Sequence, residues 1–360
     1  MSGSADVEIA LSAVTDWDAL GTEWRALEGR SGASFFQSWS WVGCMAPERY
    51  ANPVLLRAGH QGRTVALGLF NRQRGWLLDT LWLHETGDPH WDTVFIEHNG
   101  LLIDATVATD ALRLACLVAA RRAPLPQARI GRRLVLRGVD EATLRAAGAA
   151  GVVSHLMTRA VPTLDLAALR RTGRNHSDVL SANTRAQLRR SARAYAALGP
   201  LGIRRAAAPA EAHRFLDALA GLHQVSWQRR GRAGAFAEPR FARFHHALID
   251  RAFPRGEIAL WRVAAGAAII GYLYNFQLNG RILAYQSGFN YALGDQRAKP
   301  GVTCHQLAIE QAVADNCQSY DFLAGDDRYK RSLADQSTSL HWLAIGPRLD
   351  PGRLRRGQYI

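Results

Sequence analysis

The sequence has almost no lysine. Of its 44 basic residues only Lys299 and Lys330 are lysines, which leaves 42 arginines against 31 acidic residues and a formal net charge of +13. A basic excess suits nucleic acid, a phosphorylated cofactor or an anionic surface. The arginines are nevertheless spread from Arg25 to Arg356 and form no single basic tail, so a generic soluble surface accounts for them as well. Cysteine is scarce and scattered: Cys44, Cys116, Cys304 and Cys317 make no CxxC and no Cys/His pair at zinc spacing. That excludes a disulfide framework and a structural zinc site, and is what reduced thiols in a cytoplasm look like. No long apolar run is present either. The stretch from Leu260 to Phe276 is broken by Arg262 and Ala265-Gly266 and falls short of the roughly 18 apolar residues of a membrane helix. The opening MSGSADVEIALSAV lacks a basic region followed by an apolar core, so the expected location is cytoplasmic. GxxxxGK[ST], GxGxxG after a first strand, GxSxG, HExxH and paired-carboxylate motifs are all missing, which disfavours P-loop and metal-hydrolase chemistry; no metal is expected.

What is present is an ordinary globular composition, 48% hydrophobic and 21% charged, over 360 residues. That length suits two domains of about 150 to 200 residues. Residues 16–28 carry Trp17, Leu20, Trp24 and Leu27 on one helical face. Strand-like runs at 53–58, 64–71 and 76–83, separated by turn residues, predict an antiparallel meander, followed by a helix over 106–122, a strand over 133–137 and a helix over 141–150. The second half repeats the order: helices 209–228 and 239–252, strands 257–263, 268–278 and 281–289, a helix over 302–316 and a strand over 319–323. Pro239 and Pro300-Gly301 mark helix starts. The shared order suggests duplication without residue identity. Between the halves, Arg185, Arg189 and Arg193 form a stripe that could hold phosphates; a solvated helix face explains it too, since no aromatics interleave the arginines.

The segment with most chemical content runs from Tyr285-Gln-Ser-Gly-Phe-Asn through Pro300-Gly-Val-Thr-Cys-His to Ser319-Tyr-Asp-Phe-Leu-Ala-Gly-Asp-Asp-Arg-Tyr-Lys. A helix opened by Pro300-Gly301 aims the backbone amides of Gly301, Val302, Thr303 and Cys304 at an anion, with Arg297 and Lys299 on the preceding loop. An ordinary helix start is the competing explanation. His245-His246 and the His84/His90 pair lack a third ligand and are read as core or surface residues.

Tyr285 to Phe289, Arg297 with Pro300-Gly301, Trp227-Gln-Arg-Arg-Gly231 and Tyr320-Asp-Phe-Leu-Ala-Gly-Asp-Asp-Arg-Tyr-Lys330 together resemble the CelD/BcsL-type acetyltransferases of the GNAT superfamily, related to FemAB-like transferases. The similarity runs from about Ser181 to Trp342; the family usually has Arg where Ala324 stands and Glu-Pro where Asp327-Arg328 stand. The resemblance implies an α/β (α+β) fold of tandem GNAT-like domains, each a mixed, mostly antiparallel twisted sheet flanked by helices. The expected division is 1–160 as a degenerate N-terminal domain on the acceptor side, 161–205 as a basic connecting segment, and 206–360 as the domain that binds acyl-CoA. Gln286, Ser287, Gly288, Arg297, Lys299, Gly301, Val302, Thr303 and Cys304 are then the cofactor-binding candidates. Asp326 is the first candidate for base or amine anchor and His223 the second. Tyr329 is the candidate proton donor to sulfur, because an amine must be deprotonated and a thiolate protected. Trp227, Arg230 and Lys330 are candidates for substrate contact. Attack through an acyl-Cys304 is conceivable but secondary to direct transfer.

The activity so implied is N-acyl transfer from acetyl-CoA or another acyl-CoA, as cosubstrate, to an amine of a small molecule, sugar or amino compound. Two alternatives stand beside it: an aminoacyl-tRNA-dependent FemAB-like transferase, motivated by the arginine stripe, and a non-catalytic GNAT-like assembly protein of polysaccharide biosynthesis, motivated by the departures at Ala324 and Asp327.

Overall fold

The structure is a computed structural model that describes residues 7–126 and 131–346. It divides into two compact units, residues 1–158 with 339–360, and residues 159–338. In the first unit the elements run β1 (Val7–Ala13), α1 (Trp17–Glu28), α2 (Trp39–Arg49), β2 (Pro53–His60), β3 (Arg63–Arg74), β4 (Leu78–Leu83), β5 (Leu102–Ile103), α3 (Asp110–Arg122), β6 (Gly131–Val139), α4 (Glu141–Ala150) and the start of β7 (Val152–Asp165). The second continues with α5 (Leu166–Thr172), α6 (His176–Val179), α7 (Ala182–Ala196), β8 (Leu201–Arg205), α8 (Pro209–Gln228), α9 (Pro239–Ala252), β9 (Ile258–Ala265), β10 (Ala268–Leu278), β11 (Arg281–Phe289), α10 (Pro300–Ala314), β12 (Ser319–Asp321), α11 (Arg328–Leu333) and the start of β13 (Gln336–Gly346).

Each unit holds a mostly antiparallel sheet flanked by helices. In the first the strand order is β1-β2-β3-β4-β6-β13, with β5 on β3; in the second it is β7-β12-β11-β10-β9-β8. Within each, the three-strand meander is antiparallel and the strand after the long helix joins it in parallel, β6 beside β4 and β12 beside β11. A parallel neighbour requires a crossover, and α3 and α10 supply it. The closing strands are exchanged along the chain: β7, which follows the first repeat, pairs with β12, and β13, which follows the second, pairs with β6. Residues 339–346 therefore belong to the first unit's sheet, whereas the sequence reading gave them to the C-terminal domain; residues 161–205 are part of the second unit and not a separate connector.

Local chemistry accounts for the helices. Asp16 accepts hydrogen bonds from the amides of Asp18 and Ala19 at the start of α1, and its Leu20, Trp24 and Leu27 are buried. In α9, Pro239 takes the first turn, and Phe241, Phe244, His245, Leu248, Ile249 and Ala252 face inward at helical spacing. Full burial of Phe241 or Leu248 contributes about 1.5–3 kcal/mol each. Among the described residues no helix is long and apolar enough to cross a membrane.

Candidate active site

The site lies in the second unit, where two neighbouring strands part. β11 and β12 run in parallel over three residue pairs only, Arg281 with Ser319, Ile282 with Tyr320 and Leu283 with Asp321. Beyond them β11 continues to Phe289 along β10, while the chain after β12 stays beside β7: the Phe322 amide donates to the Pro162 carbonyl and the Gly325 amide to that of Ala160. The register of β10 against β11 slips at the same level, Tyr274 facing Gln286 but Asn275 facing Ala284, so Tyr285 is an inserted bulge residue. A bulge bends its strand, and here it bends β11 away from β12. The result is a fork between two parallel strands.

At the fork's mouth stands the N-terminus of α10. Lys299 occupies the capping position without a side-chain cap, and the first turn holds no acidic residue. Pro300 has no N–H and the Thr303 amide already donates to the Lys299 carbonyl at 3.0 Å, so Gly301 and Val302 carry the amides that no helical carbonyl can reach. The four donors expected from sequence are thus two. Thr303 and Cys304 contribute differently: the Thr303 hydroxyl shares a 2.7 Å hydrogen bond with Ser191 of α7, whose oxygen also accepts the Lys299 amide at 2.8 Å. Cys304 is fully buried and burial pushes its thiol well above the ordinary range, which disfavours an acyl-cysteine. Arg297 and Lys299 are exposed on the loop before the helix. A side chain at Gly301 would meet the Phe289 ring at 3.1 Å, so glycine keeps the approach to both amides open.

Inside the fork the side chains form a connected set that joins the candidates Tyr329 and Lys330 to His305, Tyr320 and Asn275, which the sequence did not single out. The Tyr320 hydroxyl lies 2.9 Å from His305 Nδ1 and accepts from Asn275 Nδ2 at 3.3 Å, tying β12, α10 and β10 together. Burial, with Lys330 nearby, lowers His305 to about 3, so its ring is neutral. The ring stacks on Tyr329 at 5.5 Å and touches Phe289 at 6.1 Å and Phe322 at 5.4 Å. Tyr329 is thereby held at the fork, and burial raises its hydroxyl far above its usual value, keeping it protonated. Lys330 donates to the carbonyls of Leu323 (3.3 Å) and Ala324 (3.1 Å), steadying a loop in which Leu323 has a φ of 59°. His305 had one visible signal, a polar ring one turn after Gly301.

The remaining candidates separate into two groups. Arg230 at the end of α8 interacts with the hydroxyl of Tyr291, on the loop leading to α10, and lies 5.7 Å from the Trp227 ring. His223 is buried beside Trp227 and Phe236, its pKa lowered to about 4 by burial, which makes it neutral and weakly basic. Asp326 is exposed just past the fork and ion-paired with Arg331. On β11, Gln286 and Ser287 are half-buried, whereas Gly288 is packed against α8 so closely that a Cβ would overlap the Leu219 carbonyl.

The first unit shows what the same topology looks like when closed. β4 and β6 pair from Leu78–Gly131 to Trp82–Val135, and beyond that point residues 96–99 fill the gap. The Asn99 amide donates to the Gly138 carbonyl at 2.8 Å, Asn99 Nδ2 donates to the Leu83 carbonyl, and a Cβ on Gly138 would meet the Ile96 carbonyl at 2.7 Å. The N-terminus of α3 is capped by Thr109, whose hydroxyl accepts the Leu112 amide, and bears Asp110 in its first turn. That terminus is already capped, and its Asp110 is paired with Arg113 and Arg145, whereas α10 has neither a side-chain cap nor an acidic residue in its first turn.

An antiparallel meander, a parallel pair that parts at a bulge and a crossover helix with open amides at the parting define the GNAT fold. Residues 182–331, all within the second unit, match the family model described as "Acetyltransferase (GNAT) domain". Similar solved structures show the fold over nearly the whole chain. FemX has 10% identity and a TM-score of 0.61, covering 92% of this chain and 96% of its own. A conserved protein of unknown function from Bacteroides thetaiotaomicron VPI-5482 has 11% identity and a TM-score of 0.55, covering 94% and 99%. L-PGS from Bacillus licheniformis has 9% identity and a TM-score of 0.52, covering 90% and 91%. No curated protein sequence matches.

Proposed function

We propose that the protein is an N-acyltransferase of the CelD/BcsL type that moves an acetyl or other acyl group from acyl-CoA to the amine of a small molecule, sugar or amino compound. The observation that carries the reading is the coincidence of the parted strands with the uncapped, acid-free N-terminus of α10. The pyrophosphate would take the Gly301 and Val302 amides, with Arg297 and Lys299 supplying charge from the loop. The pantetheine arm would then lie along β11 past Gln286 and Ser287. Asp326 takes the first proton of the ammonium, the neutral amine attacks the thioester carbonyl and forms the C–N bond as the C–S bond breaks, Tyr329 gives its proton to the departing thiolate, and the proton lost from the newly acylated nitrogen restores the Tyr329 hydroxyl. Asp326 is assigned as the carboxylate that draws the ammonium in, and Trp227 and Arg230 as the wall of the acceptor side. Binding of CoA by calorimetry tests this reading: one site is expected in the wild type, with at least a tenfold loss in Gly301→Glu. No binding, or binding unchanged by that substitution, overturns it.

A second reading has one observation of its own. Arg189, Arg190 and Arg193 are exposed on α7, the helix that holds the start of α10 through Ser191. An aminoacyl-tRNA donor would use such a row, and its binding would fall by about three to five decades between 50 and 200 mM salt for 6–10 phosphate contacts.

A further inference from the structure

One end of the first unit carries apolar side chains that packing does not explain. The turn between β3 and β4 holds Trp76, 86% exposed, and Leu77, 49% exposed. Because β4 and β6 are parallel and Leu78 faces Gly131, this turn lies beside the start of β6. The end of α3 is fixed at the same place: Arg132 of β6 donates to the carbonyls of Ala120 and Ala123, and Arg121 donates to the carbonyl of Ala150. Val152, 45% exposed, follows two residues later. β13 also ends here, Ile345 facing Leu134.

We propose that this end of the first unit is a docking surface for an anionic lipid bilayer. Arg74 and Arg122 are exposed beside the apolar turn, so cationic groups flank an indole and a leucine at the tip of a two-strand hairpin. An indole on such a tip gains from the headgroup region, where its ring is shielded from water and its N–H remains hydrogen-bonded, and neighbouring arginines are drawn to anionic headgroups. Charge alone would fit nucleic acid as well. The exposed Trp76, Leu77 and Val152 favour the bilayer, because three apolar groups gain nothing from a phosphate backbone. Since no described helix crosses a membrane, attachment would be reversible and at the surface.

The test is co-sedimentation of the full-length protein with vesicles of phosphatidylcholine containing 30% phosphatidylglycerol, against vesicles of phosphatidylcholine alone. Binding to the first and at least tenfold weaker binding to the second are expected, weakened further by added salt. Trp76→Ser with Leu77→Ser should lower the affinity for anionic vesicles at least tenfold while leaving the melting temperature and CoA binding unchanged. Arg74→Gln with Arg122→Gln should lower it several-fold. The proposal is overturned if the wild type does not bind anionic vesicles, if the double Trp76/Leu77 variant binds as the wild type does, or if that variant instead converts a dimer into a monomer. CoA binding reports on the second unit separately, so loss of one reading leaves the other standing.

Discussion

Tyr329 is the residue on which the proposed chemistry concentrates, and its position follows from three neighbours. His305 stacks on its ring, Tyr320 holds His305 through Nδ1, and Asn275 donates to Tyr320. A hydroxyl held this way and kept protonated by burial can give its proton to a departing thiolate without first having to find it. Tyr329→Phe is therefore expected to lower kcat by about 10²-fold or more while the dissociation constant for CoA stays within a factor of two; a kcat unchanged in steady-state thiol release would remove Tyr329 from the mechanism. His305→Gln should lower kcat less, because it disturbs only the stack that orients Tyr329, and Tyr329→Phe in that background should add less than it does alone.

Two glycines show how elements, rather than single side chains, build the fork. Gly288 brings β11 against the backbone of α8, and a methyl there would collide with the Leu219 carbonyl, which cannot swing aside. Gly288→Ala should cost about 1–3 kcal/mol in urea unfolding, because α8 must lift off the sheet. Gly301→Ala meets only the edge of the Phe289 ring, which can shift, so its stability should stay near wild type while CoA binding weakens. The reverse ranking in paired melts and titrations would mean that α10 does not present its amides to the ligand. The sequence announced these elements unevenly. α1 was legible from the spacing of Trp17, Leu20, Trp24 and Leu27, α9 from Pro239 at its start, and both meanders from strand-like runs between turn residues. α2 was not: residues 39–43 are buried on every side, so no 3.6-residue period survives, and Pro47 lies inside the helix. The exchange of β7 and β13 was equally hidden, because strand pairing at such separations leaves no local trace. The start of α10 was legible as Pro300-Gly301, whereas the parting of β11 from β12 depends on the bulge at Tyr285, which no residue type demands.

The two units hold one topology twice, with the start of the crossover helix furnished differently in each. The copy in the first unit fills its gap with residues 96–99 and caps α3 with Thr109 and Asp110; the copy in the second leaves α10 open and surrounds it with buried neutral rings. Those rings make a pH signature. Burial lowers His223 to about 4 and His305 to about 3, and lowers His176 as well, all in the second unit. A histidine whose folded pKa lies below its unfolded value near 6.5 takes up its proton only on unfolding, so stability is lost as pH falls from about 6.5 toward the folded values. His223 and His305 together make that loss on the order of 3 kcal/mol per pH unit at the steepest. In the first unit, burial lowers His84 to about 4 but raises Glu85 to about 8. A carboxyl raised in this way stabilises the fold below its unfolded value near 4.5 and loses that contribution as pH rises toward 8, which is the opposite slope. Between pH 4.5 and 6.5 the two therefore offset each other. Calorimetry should accordingly show a second-unit transition, marked by its response to CoA, that moves to lower temperature between pH 6.5 and 4.5 while the first-unit transition stays nearly fixed. Transitions that move together would show that His223 and His305 do not remain neutral within the second unit's core.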